Sequence, residues 1–329
     1  MGAPAQGACI NGGVRVAKIL LAAAGISISA GIGLVAGTSA DAGASAPGNS
    51  GQAASYAIGS TAQREALAFW TPARMEEATA ISRVAVVPVT HPTTRAPVTR
   101  AERRGTAAPR GTPTAVHFDG VPTVGALFFT TGTAKHFCTA SVTDSRPRDL
   151  VLTAAHCVYG SRYATNIAYV PMYHDGARPH GTWPVTSITV AAGWRAGHDP
   201  DLDFAFLKVA RVSGHPVQSV TRGLALGLGG RYVMAVQVVG YNDSDSQPVH
   251  CLTQSFEFRP GQLEFYCHDY WDGTSGGPWI SDFSSRTGTG TVRGVIGGYQ
   301  QGGLYEWASF SPYFGSQLAA LFALAQRAR

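Results

Sequence analysis

Leu152-Thr153-Ala154-Ala155-His156-Cys157 and Gly273-Thr274-Ser275-Gly276-Gly277-Pro278 are the two stretches whose reading decides the fold of this chain. In the first, a short apolar strand delivers a histidine and then a cysteine. In the second, a serine sits on a glycine-rich turn, a backbone that can leave N–H groups free to hold an anion. A serine hydroxyl is a weak nucleophile until a base takes its proton, so the pair calls for a third, carboxylate member to orient the imidazole.

With Cys138-Thr139-Ala140-Ser141-Val142, these stretches resemble the chymotrypsin-like serine peptidases, most of all the secreted bacterial branch that contains the glutamyl endopeptidases. The resemblance spans roughly residues 115–325. It implies the order His, Asp, Ser along the chain. Asp203, in Asp203-Phe204-Ala205-Phe206-Leu207-Lys208, fits the family's pattern of an aspartate followed by apolar, Ala, apolar, apolar. Asp201 ranks second because Leu202-Asp203 breaks that pattern after it, and Asp199 ranks third. The resemblance implies that His156 is the general base, that Asp203 fixes its tautomer, and that the N–H groups of Gly273 and Ser275 receive an oxyanion. Each motif alone is common in turns and cores; their joint occurrence in this order carries the reading. A catalytically silent homologue that binds peptides through the same cleft is the competing expectation. The serine motif also fits the nucleophile elbow of α/β-hydrolases, but that fold needs a histidine after the serine, and the last histidine here is His268.

The chain departs from the family in two places. The best-known members carry an aspartate before the nucleophile, which pairs with the new N-terminus after zymogen cleavage; here that position is Thr274. A buried ion-pair switch is therefore not expected. Asp269 stands at the position that selects basic side chains in trypsin-like members, although Trp271 replaces the usual nearby cysteine. Gly294-Val295-Ile296-Gly297-Gly298-Tyr299 is expected to pair with substrate backbone as an added strand, with Gly297, Gly298 and Tyr299 as binding residues. Acidic selectivity lacks the pocket histidine of the glutamyl endopeptidases, and Arg293 is the substitute candidate.

Composition sets the frame. The 329 residues are 45% hydrophobic and 14% charged, with 40 glycines and 19 prolines, which favours an all-β chain rich in turns. Two sets of short strands, before and after about residue 230, predict two packed six-stranded Greek-key barrels with a C-terminal helix. His156 and Asp203 fall in the first set and Ser275 in the second, so the site is expected in the cleft between them. From Ser311-Pro312-Tyr313 onward, Phe314, Leu318, Leu321, Phe322 and Ala325 recur at helical spacing, which predicts a helix on the second barrel with Pro312 in its first turn.

The net charge of +5 lies outside this region: from residue 113 onward fifteen basic residues meet fifteen acidic ones. That balance does not advertise a basic nucleic-acid-binding face. Residues 1–42 read as a secretory leader, with Arg15 and Lys18, an apolar run from Ile19 to Ala36, and Ala40-Asp41-Ala42 as a cleavage site. Residues 43–114 read as a largely disordered pro-segment or linker, with a short helix over 61–83 and a Pro/Thr/Arg stretch over 91–114. Residues 115–329 form the peptidase-like domain. Of five cysteines, Cys9 would leave with the leader; four allow three connectivities, and sequence neighbours favour Cys138–Cys157 and Cys251–Cys267. His174, His180 and His198 match no metal motif. The expectation is a secreted monomer acting on protein or peptide substrates, without cofactor, metal, nucleic acid or, after leader removal, membrane.

Overall fold

Short runs rich in β-branched and aromatic residues, cut by glycine and proline turns, build almost the whole molecule. The computed structural model describes residues 53–81, 107–243 and 246–328, all within one unit, Asn49–Arg329. The expected leader, and most of the expected Pro/Thr/Arg stretch, lie outside the described residues.

In chain order the N-terminal part holds β1 (Ala54–Ala57), α1 (Ser60–Phe69), α2 (Pro72–Glu76) and β2 (Thr79–Ala80). There follow β3 (Val116–His117), β4 (Val124–Thr131), β5 (Ala134–Val142), β6 (Leu150–Thr153), α3 (Ala155–Val158), β7 (Thr165–Pro171), β8 (Trp183–Val190), α4 (Ala192–Gly197) and β9 (Ala205–Val209). The second half holds α5 (Val217–Thr221), β10 (Ala225–Leu226), β11 (Met234–Tyr241), β12 (Pro248–Arg259), β13 (Gln262–Tyr266), β14 (Pro278–Ser284), β15 (Thr289–Val295), β16 (Ala308–Pro312) and α6 (Ser316–Arg327).

The first sheet runs β8-β7-β4-β5-β6-β9 and closes through β8–β9 into a six-stranded barrel. Inside it, Leu127, Phe129, Tyr169, Trp183, Ile188 and Leu207 pack together. The second runs β15-β14-β11-β12-β13-β16, and its ends meet where Gly297 N–H donates to the Phe310 carbonyl at 2.9 Å. Both expected disulfides are formed. Cys138–Cys157 ties β5 to α3, and Cys251–Cys267 staples β12 to the end of β13.

Between the barrels lies a shared apolar layer. Leu150, Leu152, Phe204 and Phe206 from the first barrel meet Val239, Ile280 and Val295 from the second, with Phe314, Leu318 and Leu321 beside them. The C-terminal helix therefore does not sit on the second barrel alone, as the spacing suggested. Phe322 packs on Phe206 at 5.3 Å between ring centroids, and Arg146 N–H donates to Gln326 Oε1 at 3.1 Å. Pro312 is the last residue of β16, and the helix starts after Gly315; pairing with β13 outweighed the local helix-start signal.

The N-terminal part also differs from expectation. Ala54–Ala57, placed in a disordered stretch by composition, pairs antiparallel with β8 from Ala54↔Val190 to Ala57↔Ser187. An edge strand needs only backbone groups to pair, so small residues suffice. The helix expected over 61–83 is two helices, the second opened by Thr71, whose Oγ1 accepts from Arg74 N–H, and by Pro72 at its first position. Trp70 is buried, and its indole N–H donates to the Asn166 carbonyl. Thr79 and Ala80 then pair parallel with His136 and Phe137 of β5.

Two outcomes follow for stability. Removing the bridge that closes the 16-residue separation between Cys251 and Cys267, as Cys251→Ser with Cys267→Ser, should cost roughly 3 kcal/mol in denaturant unfolding. His136, under β2, has a buried Nδ1 without a hydrogen-bond partner, and burial lowers its pKa below the usual 6.5. The unfolded chain then takes up the proton first as pH falls. The stability from neutral His136 is full above 6.5 and lost as pH drops through the folded value. The melting-temperature difference between His136→Phe and the wild type should therefore move in favour of the variant from about pH 7.5 to about pH 5.

Candidate active site

His156 follows β6 on the single turn α3, where Cys157 anchors it to β5. Asp203 ends a 3₁₀ turn, Pro200–Leu202, just before β9. The carboxylate is fully buried and has three partners. Oδ1 accepts from His156 N–H at 2.9 Å, and Oδ2 accepts from Gly298 N–H at 2.9 Å and faces His156 Nδ1 at 2.8 Å. A carboxylate that only accepts puts the proton on Nδ1 and leaves Nε2 bare. Asp201 is turned elsewhere: it pairs with Arg259 at 2.8 Å and accepts from Gln262 Nε2 at 2.7 Å. Asp199 caps the 3₁₀ turn through Asp201 N–H.

The serine loop is shaped by what its glycines allow. Gly273 has φ +91°, and a Cβ there would fall 2.5 Å from the Phe137 ring. Gly276 has φ +80°, and a Cβ would fall 2.2 Å from both the Thr139 carbonyl and Thr153 Oγ1. Side chains are strained at such φ values and have no room here. The loop is held from both flanks: Thr139 N–H donates to the Ser275 carbonyl at 2.8 Å, and Gly276 N–H donates to the Ile296 carbonyl at 2.7 Å. Thr139 Oγ1 also donates to the Gly273 carbonyl at 3.0 Å and accepts from Tyr241 N–H at 2.9 Å. The sequence assigns Thr139 no role, because nothing in a strand pattern says which loop its side chain will meet.

Among the described residues, His156 Nε2 and Ser275 Oγ are buried and make no hydrogen bond, and no hydrogen bond from the Gly273 or Ser275 N–H to another group is found. Thr274 is buried, donates its hydroxyl to the Trp271 carbonyl at 2.7 Å and packs over Gly240, so the position before the serine is held by a neutral hydrogen bond. Among the described residues the metal-type donors that cluster are Cys138, His156 and Cys157, but the two sulfurs are a disulfide and offer no thiolate. His174 lies 3.8 Å from Asp175, and His198 Nε2 lies 3.3 Å from the Gly160 carbonyl.

The expected binding strand is shorter than the sequence suggested. β15 ends at Val295, and Tyr299–Gln301 form a 3₁₀ turn after Gly298 at φ +76°. Gly297 and Gly298 N–H are spent on Phe310 and Asp203, and Tyr299 N–H donates to Gln262 Oε1 at 3.0 Å. Among the described residues the Gly297 carbonyl accepts no hydrogen bond. Tyr299 packs against Phe258 and Phe310, centroids 4.9 and 5.1 Å away, the latter edge-to-face. Asp269 is exposed at φ +66°; its N–H donates to Glu306 at 2.7 Å and its carbonyl accepts from Asn242. It lines an open groove with His268, Trp271, Glu306 and Trp307, not an enclosed charged floor. Arg293 reaches Ser281 at 3.3 Å and packs over Gly227.

Comparison with known proteins agrees with this fold. The family model described as Trypsin matches residues 110–305, more than half of the chain. No curated protein matches significantly. Among solved structures, the chain is similar to the protease Anisep from Arthrobacter nicotinovorans, with 23% identity and a TM-score of 0.59, over 65% of this chain and 100% of that one. It is similar to the thermostable serine protease AL20 from an extremophilic microorganism, with 24% identity and a TM-score of 0.57, over 63% and 98%. A Glu endopeptidase follows at 15% identity and a TM-score of 0.52, over 66% and 99%. These likenesses support the two-barrel fold, and with the family match they make this chain a member of the trypsin family, a serine endopeptidase.

Proposed function

We propose that hydrolysis runs through Ser275, His156 and Asp203 and a covalent acyl-enzyme on Ser275. The observation that carries this is the pairing of Asp203 with His156 Nδ1 at 2.8 Å, while His156 Nε2 and Ser275 Oγ are buried with no hydrogen-bond partner among the described residues. Hydrogen bonds between base and nucleophile are often open without substrate. Ser275 Oγ attacks the peptide carbonyl as its proton passes to Nε2. The oxyanion forms against the N–H groups of Gly273 and Ser275. The imidazolium, stabilised by Asp203, then protonates the leaving amine, and water repeats the sequence on the ester.

The acyl side of the substrate runs along Gly297–Tyr299, where the Gly297 carbonyl is the acceptor for its backbone. Selectivity for basic side chains is carried by Asp269 beside Glu306, at a solvated surface. Secretion is supported by the two disulfides, which need an oxidising compartment. Among the described residues no helix is long and apolar enough to cross a membrane. The precursor is processed in the arginine-rich stretch before residue 115. The monomer and the absence of nucleic-acid and cofactor partners stay part of this proposal.

The competing reading, a silent peptide-binding homologue, draws on the full burial of Ser275. A serine-directed phosphonate decides between them: labelling at Ser275 supports the enzyme, and no labelling of processed, disulfide-bonded protein supports the binder. Ser275→Ala should lower turnover on the order of 10⁶-fold, since members of a coupled triad fail together. Asp203→Asn should lower it by roughly 10⁴-fold through the wrong tautomer. Asp269→Asn should reduce the preference for Arg or Lys by no more than about fivefold, because exposed ion pairs contribute ~0–1 kcal/mol; a positional peptide library reads this directly.

A further inference from the structure

The N-terminal part is built into the first barrel in a way that a discarded pro-segment would not need. β1 extends β8, and Ser55 Oγ lies 2.7 Å from Thr189 Oγ1. Tyr56 stacks on Tyr163, with centroids 4.4 Å apart. Ala66, Trp70 and Met75 are at most 2% exposed, and Glu77 pairs with Lys135 of β5. The arginines that invite cleavage, Arg95, Arg100, Arg103 and Arg104, all come after this docked part. A cut there would leave residues 53–81 held by a strand pairing and a buried tryptophan.

Its last residues lie beside the serine loop. β2 pairs with His136 and Phe137, two residues before Thr139, whose N–H holds the Ser275 carbonyl. The Phe137 ring lies against Gly273. The acyl side of a substrate takes the opposite flank, near Ile296 and Gly297, so the leaving-group side must pass along β5. There a cavity of about 230 Å³ is walled by Met75, Glu76 and Ala78 from the segment, and by Phe137, Tyr173 and Tyr241 from the barrels. Drug-sized ligand pockets run to roughly 300–1,000 Å³, so this one suits a single side chain. Apolar and aromatic side chains supply most of its lining residues, the exposed Glu76 and Asp243 and the half-buried Ser246 complete it, and the buried Tyr173 hydroxyl has no hydrogen-bond partner of good geometry.

We infer that residues 53–81 stay in the working enzyme and that Met75, Glu76 and Ala78 wall a subsite for an apolar side chain on the leaving-group side of the substrate. The inference rests on the peptidase reading of Ser275. A docked segment that survives processing makes substrate choice on that side a property of the N-terminal part of the chain.

The experiment uses secreted, processed protein. Native and denaturing mass spectra should show a fragment containing residues 53–81 bound to the protease chain after the linker is cut. Peptides with a constant acyl half and a varied leaving half should show a preference of about tenfold for one apolar residue over glycine. Ala78→Trp, which fills the cavity, and Met75→Ala, which widens it, should change that preference. Both should leave hydrolysis of the corresponding acyl p-nitroanilide, which has no leaving-side residues, unchanged in the folded protein, while Met75→Ala lowers the melting temperature because Met75 is buried. An active enzyme without the segment, or identical leaving-side profiles in the wild type and both variants with normal anilide hydrolysis, would overturn the subsite alone. A wild type inert toward both peptides and anilide would overturn the triad assignment and the subsite with it.

Discussion

The fully buried Asp203 carboxylate is the point on which the site depends. It stands between the two barrels and accepts from His156 N–H on one side and Gly298 N–H on the other, while Oδ2 faces His156 Nδ1. An unpaired charge at such a depth would cost several kcal/mol; with three donors converging it is satisfied. The same set of bonds fixes the imidazole ring and locks the end of the second barrel against the start of β9. Barrel docking and the orientation of the His156 ring are therefore one interaction.

Ser275 reaches this place by a second set of constraints. Its loop is pinned by Thr139 from the first barrel and by Ile296 from the second, and close backbone approach excludes side chains at Gly273 and Gly276. The Cys138–Cys157 bridge carries the same strand, β5, to the histidine turn. One strand thus positions both the Ser275 loop and the His156 turn. The apolar layer of Leu152, Phe204, Phe206, Val239, Ile280 and Val295 keeps the two halves at fixed distance. α6 adds Phe322 on Phe206 of the first barrel, and so straps the two barrels together.

The peptidase region does not end where the family resemblance begins. Residues 53–81 lend the first barrel an edge strand, a buried tryptophan and a partner for Lys135. Composition alone hid this. An Ala/Ser-rich stretch has too few large apolar groups to form a core by itself, yet it can satisfy an exposed strand edge, because that pairing uses backbone groups.

By itself the sequence determined the residues that carry local chemistry. The glycines around Ser275, the apolar strand before His156 and the apolar run after Asp203 are each legible because their reasons lie within a few neighbouring residues, and the cysteine pairs because each joins nearest neighbours in the sequence. What only the tertiary structure decided depends on contacts distant in sequence. Asp203 rather than Asp201 faces His156, and Arg259 and Gln262 engage Asp201 from another barrel. Thr139 acquires its role from a loop more than a hundred residues away. Asp269 faces an open groove because Glu306 and Asn242 hold its backbone there. The turn at Tyr299 replaces an extended strand because Gln262 and Asp203 claim its N–H groups. A pattern of residue types states what a side chain can do; which partner it meets is set by the packing of the two barrels.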